Sequence, residues 1–407
     1  MRALVALELT NRNLLRHRRR SLIAVLSVAF GITAMVVATG FTEWMFLDFR
    51  EAMIESQYGH IQISRPGFQE DGTADPYRFV LPPATGAKAA EGVSHLRSLA
   101  PRLMLTGLVS RGESTVSFTG EGFDPAKELT DSRSLRILEG ERLQTGARNE
   151  VLLGRGLAAL LGAHPGDLVV VLVNTPRGGI NAADARVAGI FASVSKAYDD
   201  SALLTTIHLA RTLLKVDGVH TWLMYLDDTR DTQSVAAGLR QRLDPKTFDV
   251  RTWDQLAEFY TRSVALLREQ LAVMHVIVFA IILLGIGNTM MMSVIERTGE
   301  IGTAMALGVK RRKILGQFVL EGGTIGFVGG LLGLVLAFAI TAALAVLRIE
   351  MPPPPGLTRG YIATVLLTPP LIVFSPFIAI AVTTLATLYP AWKASRMVIV
   401  DAIRHNR

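Results

Sequence analysis

Residues 296–313 read ERTGEIGTAMALGVKRRK, and long apolar runs flank them on both sides, 269–295 before and 314–347 after. Either run is long enough to cross about 30 Å of hydrocarbon as a helix, at about 1.5 Å of rise per residue. The charged stretch between them therefore reads as a short helix hung between two membrane spans. Ile301, Ala304 and Met305 recur at helical spacing, with Leu307 three residues after Ala304, so one face of this helix is apolar. Gly308 supplies a stop, and Lys310, Arg311, Arg312 and Lys313 follow where the membrane surface would be.

Working outward, the positive charge sits beside apolar runs. The chain has 407 residues and a net charge of +7, yet residues 1–20, 296–313 and 393–407 together carry +11, which leaves the remainder at −4. Basic residues confined to loops next to spans follow the positive-inside rule. A nucleic-acid interface would instead place them on one face of a folded domain, so no nucleic-acid partner is expected. There is no cysteine, which removes disulfides, thiolate metal sites and a lipobox.

Two further runs complete the set, at 21–43 and 370–392. The first is uncharged from Ser21 to Thr42, too long for a signal peptide and without a small-residue cleavage site. Before it, leucines interspersed with arginines make residues 1–20 an amphipathic elbow in the interface. Residues 44–268 are polar enough and long enough for a domain with its own core. Strand-like and helix-like segments mix there: Gly59–Ser64 alternates, Glu150–Leu153 leads into a helix at Arg155–Leu161, and the turn Pro165-Gly166-Asp167 precedes the apolar run Leu168–Val173. Asn174–Asp184 reads as a loop before a strand at Ala185–Phe191. The expected fold is an α-helical membrane protein with four transmembrane helices and a large α+β periplasmic domain inserted between helices 1 and 2. Both termini then lie in the cytosol, 348–369 is an outer loop that Pro352–Pro355 stiffen, and 393–407 is a cytosolic tail.

Catalytic constellations do not stand out. There is no Gly-Lys dipeptide for a phosphate-binding loop, no pair of histidines at helical spacing and no nucleophile elbow, so no catalytic residue, metal or cofactor of the chain's own is expected. The third span is rich in small residues, and Gly322, Gly326 and Gly330 form a small-xxx-small stripe suited to close helix packing, within the subunit or across a dimer. Glu321 is the sole acid in the interior of a span, Glu43 and Glu269 standing at the ends of theirs; a structural role near the interface outweighs a proton relay. Phe41, Trp44, Met45 and Phe46 carry an aromatic stripe past the end of the first span, as membrane-interface anchors or substrate contacts.

The segments Glu296-Arg297, Glu300-Ile301-Gly302, Ala306-Leu307-Gly308 and Lys310-Arg311 resemble the coupling segment of the FtsX/MacB/LolC-LolE permeases, membrane subunits of mechanotransmissive, type VII ABC systems. Arg12-Asn13-Leu14-Leu15-Arg16 near the start, and Tyr389-Pro390-Ala391, Ala394-Ser395-Arg396 and Asp401-Ala402-Ile403-Arg404 near the end, extend the resemblance over the chain. The pattern looks closest to the lipoprotein-releasing LolC/LolE branch. The resemblance implies a separate ABC ATPase, which binds ATP and Mg, gripping those coupling residues, and a second permease copy or homologue. It implies an inserted subdomain at about 130–184. It also implies a periplasmic lipoprotein or lipid carrier docking near Pro176, Arg177 and Gly178, membrane lipids as neighbours, and extraction of lipoproteins or lipids from the inner membrane. Efflux of drugs or peptides with a periplasmic adaptor, and a non-transporting signal transducer controlling a cell-wall hydrolase, are the alternatives it leaves open.

Overall fold

The computed structural model describes residues 18–72, 75–127, 135–147, 149–193, 195–352 and 360–397. The elbow before Arg18, Pro353–Pro355 and the tail beyond Met397 lie outside the described residues. The chain divides into a helical unit, comprising the chain up to Phe46, Val264–Ile349 and the part from Ile362 on, and a mixed unit, Leu47–Ser263 with Glu350–Tyr361.

Helix α1 spans Arg18–Met53 without a proline, continuing well past the charged residue Glu43, where the apolar run ends. It closes in a π-helical turn, Ile54–Tyr58, after which Gly59 takes φ +62°, a left-handed value that costs glycine little.

The mixed unit is built on a ten-stranded sheet among the described residues. Its strands are β1 (Ile61–Ser64), β2 (Leu96–Arg111), β3 (Ser114–Phe123), β4 (Arg136–Gly140), β5 (Glu150–Gly154), β6 (Leu168–Asn174), β7 (Ile180–Ala192), β8 (Ala202–Thr206), β9 (Thr221–Leu226) and β10 (Asp249–Thr252). Helices α2 (Arg155–Leu161), α3 (Ile207–Leu214) and α4 (Thr232–Arg242) are interleaved. β2 is long enough to serve two neighbours along one edge: its first half pairs with β9 and its second half, Gly107–Ser110, with β6. Following β2, β3, β8, β5, β7 and β6 back to β2 therefore closes a ring of six strands, so each of them has a partner on both sides over part of its length. Alternate residues point inward, with Leu103, Leu105 and Val109 of β2 meeting Val169, Val171 and Val173 of β6 and Val187 of β7, and α2 and α3 add Leu157, Leu161, Leu209 and Leu213. Gly107 faces β6 so closely that a Cβ there would lie 1.9 Å from the Leu172 carbonyl oxygen, so only glycine permits the pairing.

Two expectations are corrected here. Asn174–Asp184 is not an extended loop: β6 and β7 pair from Leu168↔Arg186 to Asn174↔Ile180, leaving a tight turn at Thr175–Gly179. Thr175 N–H donates to the Gly179 carbonyl (2.7 Å), Gly178 N–H donates to the Thr175 carbonyl (3.0 Å), and Gly178 adopts φ +77°. β1 does not alternate between core and solvent, since all four of its residues are buried between β9 and β10.

A second core lies beside the ring, where Ile61, Ile63, Trp222, Met224 and Val250 of the sheet meet Ala236 and Leu239 of α4. His220 precedes β9, fully buried, its Nδ1 accepting from the Met104 N–H (2.9 Å) and its ring stacked on Phe68 at 5.4 Å. Burial holds its pKa down at about 4, against the ordinary 6.5. The unfolded chain therefore binds the extra proton more readily between those values. Stability is fully present above pH 6.5 and falls by about 3 kcal/mol as pH drops toward 4. His220→Gln is expected to flatten that part of the pH dependence of thermal unfolding.

The helical unit adds α5 (Glu258–Glu296), α6 (Thr298–Ala306), α7 (Arg311–Leu347) and α8 (Pro369–Ser395) to the first part of α1. Four of these helices, α1, α5, α7 and α8, are long and apolar enough to cross a membrane. Outward they carry large apolar side chains, among them Phe30, Val276, Leu284, Val335 and Phe377, each more than half exposed. Such a surface matches hydrocarbon rather than water. Inward, Val28, Ile32, Ile286, Val294, Phe318, Ile325 and Ala386 form one core.

Candidate coupling site

At one end of the helical unit the chain passes from α5 to α7 through α6. The break after α5 is a single residue, Arg297, whose φ −97° and ψ 14° leave the helical well. α6 ends at Ala306 with Leu307 as its cap, and Gly308 at φ +87° turns the chain so that α7 begins at Arg311. Gly308 thus acts as the stop its position in the sequence implies.

α6 has two unlike faces. Ile301, Gly302 and Met305 are buried, and Ile301 and Met305 join the helical core. Glu300, Thr303, Ala306, Leu307 and Gly308 are exposed, continuing into Lys310–Lys313. Leu307 is 82% exposed, an isolated apolar side chain between a carboxylate and a basic run.

The charged residues before α6 are paired within the chain. Glu296, the last residue of α5, takes both terminal nitrogens of Arg20 of α1 in a bidentate pair. Arg297 is mostly buried, with Nε 3.4 Å from the Glu300 carboxylate, Nη1 3.4 Å from that of Glu321 on α7, and its guanidinium 5.4 Å above the Phe318 ring. Glu296 and Arg297 are thus engaged within the chain, although Glu296 stays 38% exposed at its side chain, and Glu300 at 57% is the more open of the two acids. Glu321, the acid that stood alone within an apolar run, sits 6% exposed against an arginine ten residues beyond the start of α7. Arg20 and Glu321 are the two members of this cluster that the local motif does not contain.

The glycine stripe of α7 packs inside the chain. A Cβ at Gly326 would meet Thr383 Oγ1 at 2.2 Å and the Ala379 carbonyl at 2.9 Å, one at Gly322 would meet Thr387 at 2.3 Å, and one at Gly330 would meet Ala379 and Pro376 near 3.0 Å, all on α8. Gly329 and Gly333 face α1 instead, against Val28 and Ala29, and Thr33 Oγ1 donates to the Gly333 carbonyl (3.0 Å). Backbones pack this closely only where side chains are missing. Of the aromatic stripe, Phe41, Trp44 and Met45 are half-buried, whereas Phe46 is buried with Arg268 over its ring at 5.9 Å. Pro176, Arg177 and Gly178 form the exposed tip of the β6–β7 turn in the mixed unit.

Two families match the chain in tandem. The MacB-like periplasmic core domain matches residues 21–242, from α1 through α4, and the FtsX-like permease C-terminal domain matches 272–399, from α5 to beyond α8. The chain belongs to the MacB/FtsX-like permease family. Among curated relatives of this permease are the "lipoprotein-releasing system transmembrane protein LolC" of Xylella fastidiosa, 24% identical over 96% of this chain and 97% of that protein, and an uncharacterized ABC transporter permease of Methanocaldococcus jannaschii, 23% identical over 84% of each. The "macrolide export ATP-binding/permease protein MacB" of Bordetella avium is 25% identical over 80% of this chain but only 50% of its own length. Among solved structures, the periplasmic region of MacB from Actinobacillus actinomycetemcomitans aligns with 51% of this chain and 94% of its own, at 15% identity and a TM-score of 0.37. The protein is thus a membrane permease of the LolC/MacB type.

Proposed function

We propose that this permease is half of an ABC transporter in which a separate ATPase, holding ATP and Mg, docks on the outward face of α6 and drives work done by the mixed domain. The observation that carries the reading is Leu307, which projects from a helix whose opposite face is buried, with Glu300 and Lys310–Arg312 around it. An apolar anchor ringed by charge suits insertion of a helix end into a groove of a partner. α6 and both termini then lie in the cytosol, the mixed domain lies in the periplasm between the first and second spans, and a second permease copy or homologue completes the transporter. The boundaries read from the sequence, with 296–313 as coupling segment and 21–43, 269–295, 314–347 and 370–392 as spans, follow from that topology.

For the work itself, extraction or release of lipoproteins or lipids is favoured by the similarity to LolC, which runs nearly end to end in both chains. In this reading Phe41, Trp44 and Met45 contact acyl chains at the outer surface, and the tip at Pro176–Gly178 is where a periplasmic carrier docks. The MacB similarity supports a second reading, efflux of drugs or peptides with a periplasmic adaptor. Purification from membranes in mild detergent, followed by mass spectrometry, separates the two. Acylated protein or enriched lipid supports release, a periplasmic adaptor supports export, and a cell-wall hydrolase without cargo contradicts both and points to a signal transducer.

A further inference from the structure

We infer that Arg297 and Glu321 form the joint that hands a displacement of α6 to α7, with Arg20 and Glu296 tying α1 into the same joint; this rests on the reading of α6 as a docking helix. α6 is nine residues long and is followed by a turn at Gly308, a residue with wide backbone freedom. A load on α6 would dissipate in that turn unless a second connection bypassed it. The Arg297 guanidinium is such a connection: it holds Glu300 of α6 and Glu321 of α7 at 3.4 Å each and stacks on Phe318, one turn before Glu321. Glu321 lies about 15 Å along α7 from its first residue, so the tie reaches the body of the helix. Its burial keeps salt and water from screening the pair, and leaving either partner alone there is costly.

The second tie is of the same kind. Arg20 grips Glu296 bidentately, which fixes direction as well as distance, and α1 runs unbroken from Arg18 to Met53. Arg20, Glu296 and Glu321 line one small cavity with Thr289 and Ser293, and Arg297, paired with Glu321 and with Glu300, links that lining to α6, so the charges form a single cluster joining α1, α5, α6 and α7. One element pushed from outside is thereby connected to two long helices through fixed charges, a contiguous physical link of the kind that transmission requires.

The chain contains no cysteine, so paired spin labels at introduced cysteines are unambiguous. Labels at Thr303 on α6 and Phe327 on α7, both exposed, are expected to give one narrow distance distribution, which Glu321→Gln should broaden about twofold. Labels at Phe327 and Arg177 are expected to change separation when ATP and vanadate are added to the complex with its ATPase. In Glu321→Gln that response should fall about tenfold, as the loss of a coupling of ordinary size would give, while the ATPase stays bound. Exchanging the charges, Arg297→Glu with Glu321→Arg, should restore part of it. If Glu321→Gln does not accumulate, the half-exposed pair carries the same test through Arg20→Gln with labels at Leu22 and Thr303. An unchanged Thr303–Phe327 distribution overturns the joint whether or not any ATPase binds. A broadened distribution with an intact or absent ATP response overturns its role in transmission. Failure of the wild-type permease to retain an ATPase would instead remove the docking reading, and the first label pair would still decide the joint.

Discussion

Valine at Gly326 is expected to force α7 away from α8 and to prevent the helical unit from reaching its packed state. The position faces Thr383 Oγ1, the Ala379 carbonyl oxygen and Ile380 Cα, each within 2.9 Å of where the first side-chain carbon would sit. A hydroxyl can rotate away, but a carbonyl and a Cα can yield only if the helix moves. Overpacking of this kind costs about 1–3 kcal/mol for one or two added carbons, and valine adds three. The cost is not confined to one contact, because Gly322, Gly326 and Gly330 are spaced along the same seam and separate together. Thermal unfolding in detergent should show a lowered midpoint or no recoverable folded protein. Gly285→Ala is the control, since no atom of the described residues outside its own stretch of helix backbone lies within 4 Å of its Cβ position, and alanine there should be neutral or stabilising by up to about 1 kcal/mol through helix propensity. Equal stability for Gly326→Val and the wild type would contradict the packing described.

Glutamate at Leu307 is expected to remove most of the affinity for the ATPase while leaving the permease folded. At 82% exposure the side chain contributes little to the fold, so the substitution should stay within about 0.5 kcal/mol of wild-type stability. Loss of a central apolar anchor from an interface commonly costs 2 kcal/mol or more, about 30-fold in affinity, and a carboxylate in the partner's pocket adds desolvation to that loss. Glu300→Arg should have a smaller effect, because its carboxylate is shared with Arg297 and half open to solvent. Affinity measured by titrating the ATPase against permease in nanodiscs checks both.

The four apolar helices and the short helix between two of them were legible because each rests on a local, one-dimensional signal. A run without charge declares a span, and Ile301, Ala304 and Met305 declare a face. What was not legible depends on distant residues meeting. β2, the long strand at the centre of the mixed domain, shows weak alternation because it changes neighbours midway, and Pro101 within it reads as a strand breaker. The start of β7 was hidden for a related reason: Ile180–Asp184 is alanine-rich and mostly exposed, so it looks like loop until the Leu168–Asn174 ladder is seen beside it. At the site, Glu296 and Arg297 looked available to a partner because Arg20 and Glu321, which engage them, lie 276 and 24 residues away. By spacing alone Leu307 falls with the apolar face, and only the packing of Ile301 and Met305 against the core shows that it faces outward.

A single cysteine at position 307, in a chain that otherwise has none, gives the most direct test of the docking reading. Carrying a photoactivatable group and irradiated in native membranes, it is expected to join the permease to a protein with an ATP-binding fold, and excess Leu307→Glu permease should not compete for that partner. Crosslinks confined to lipid, or to proteins that bind no nucleotide, would contradict the account.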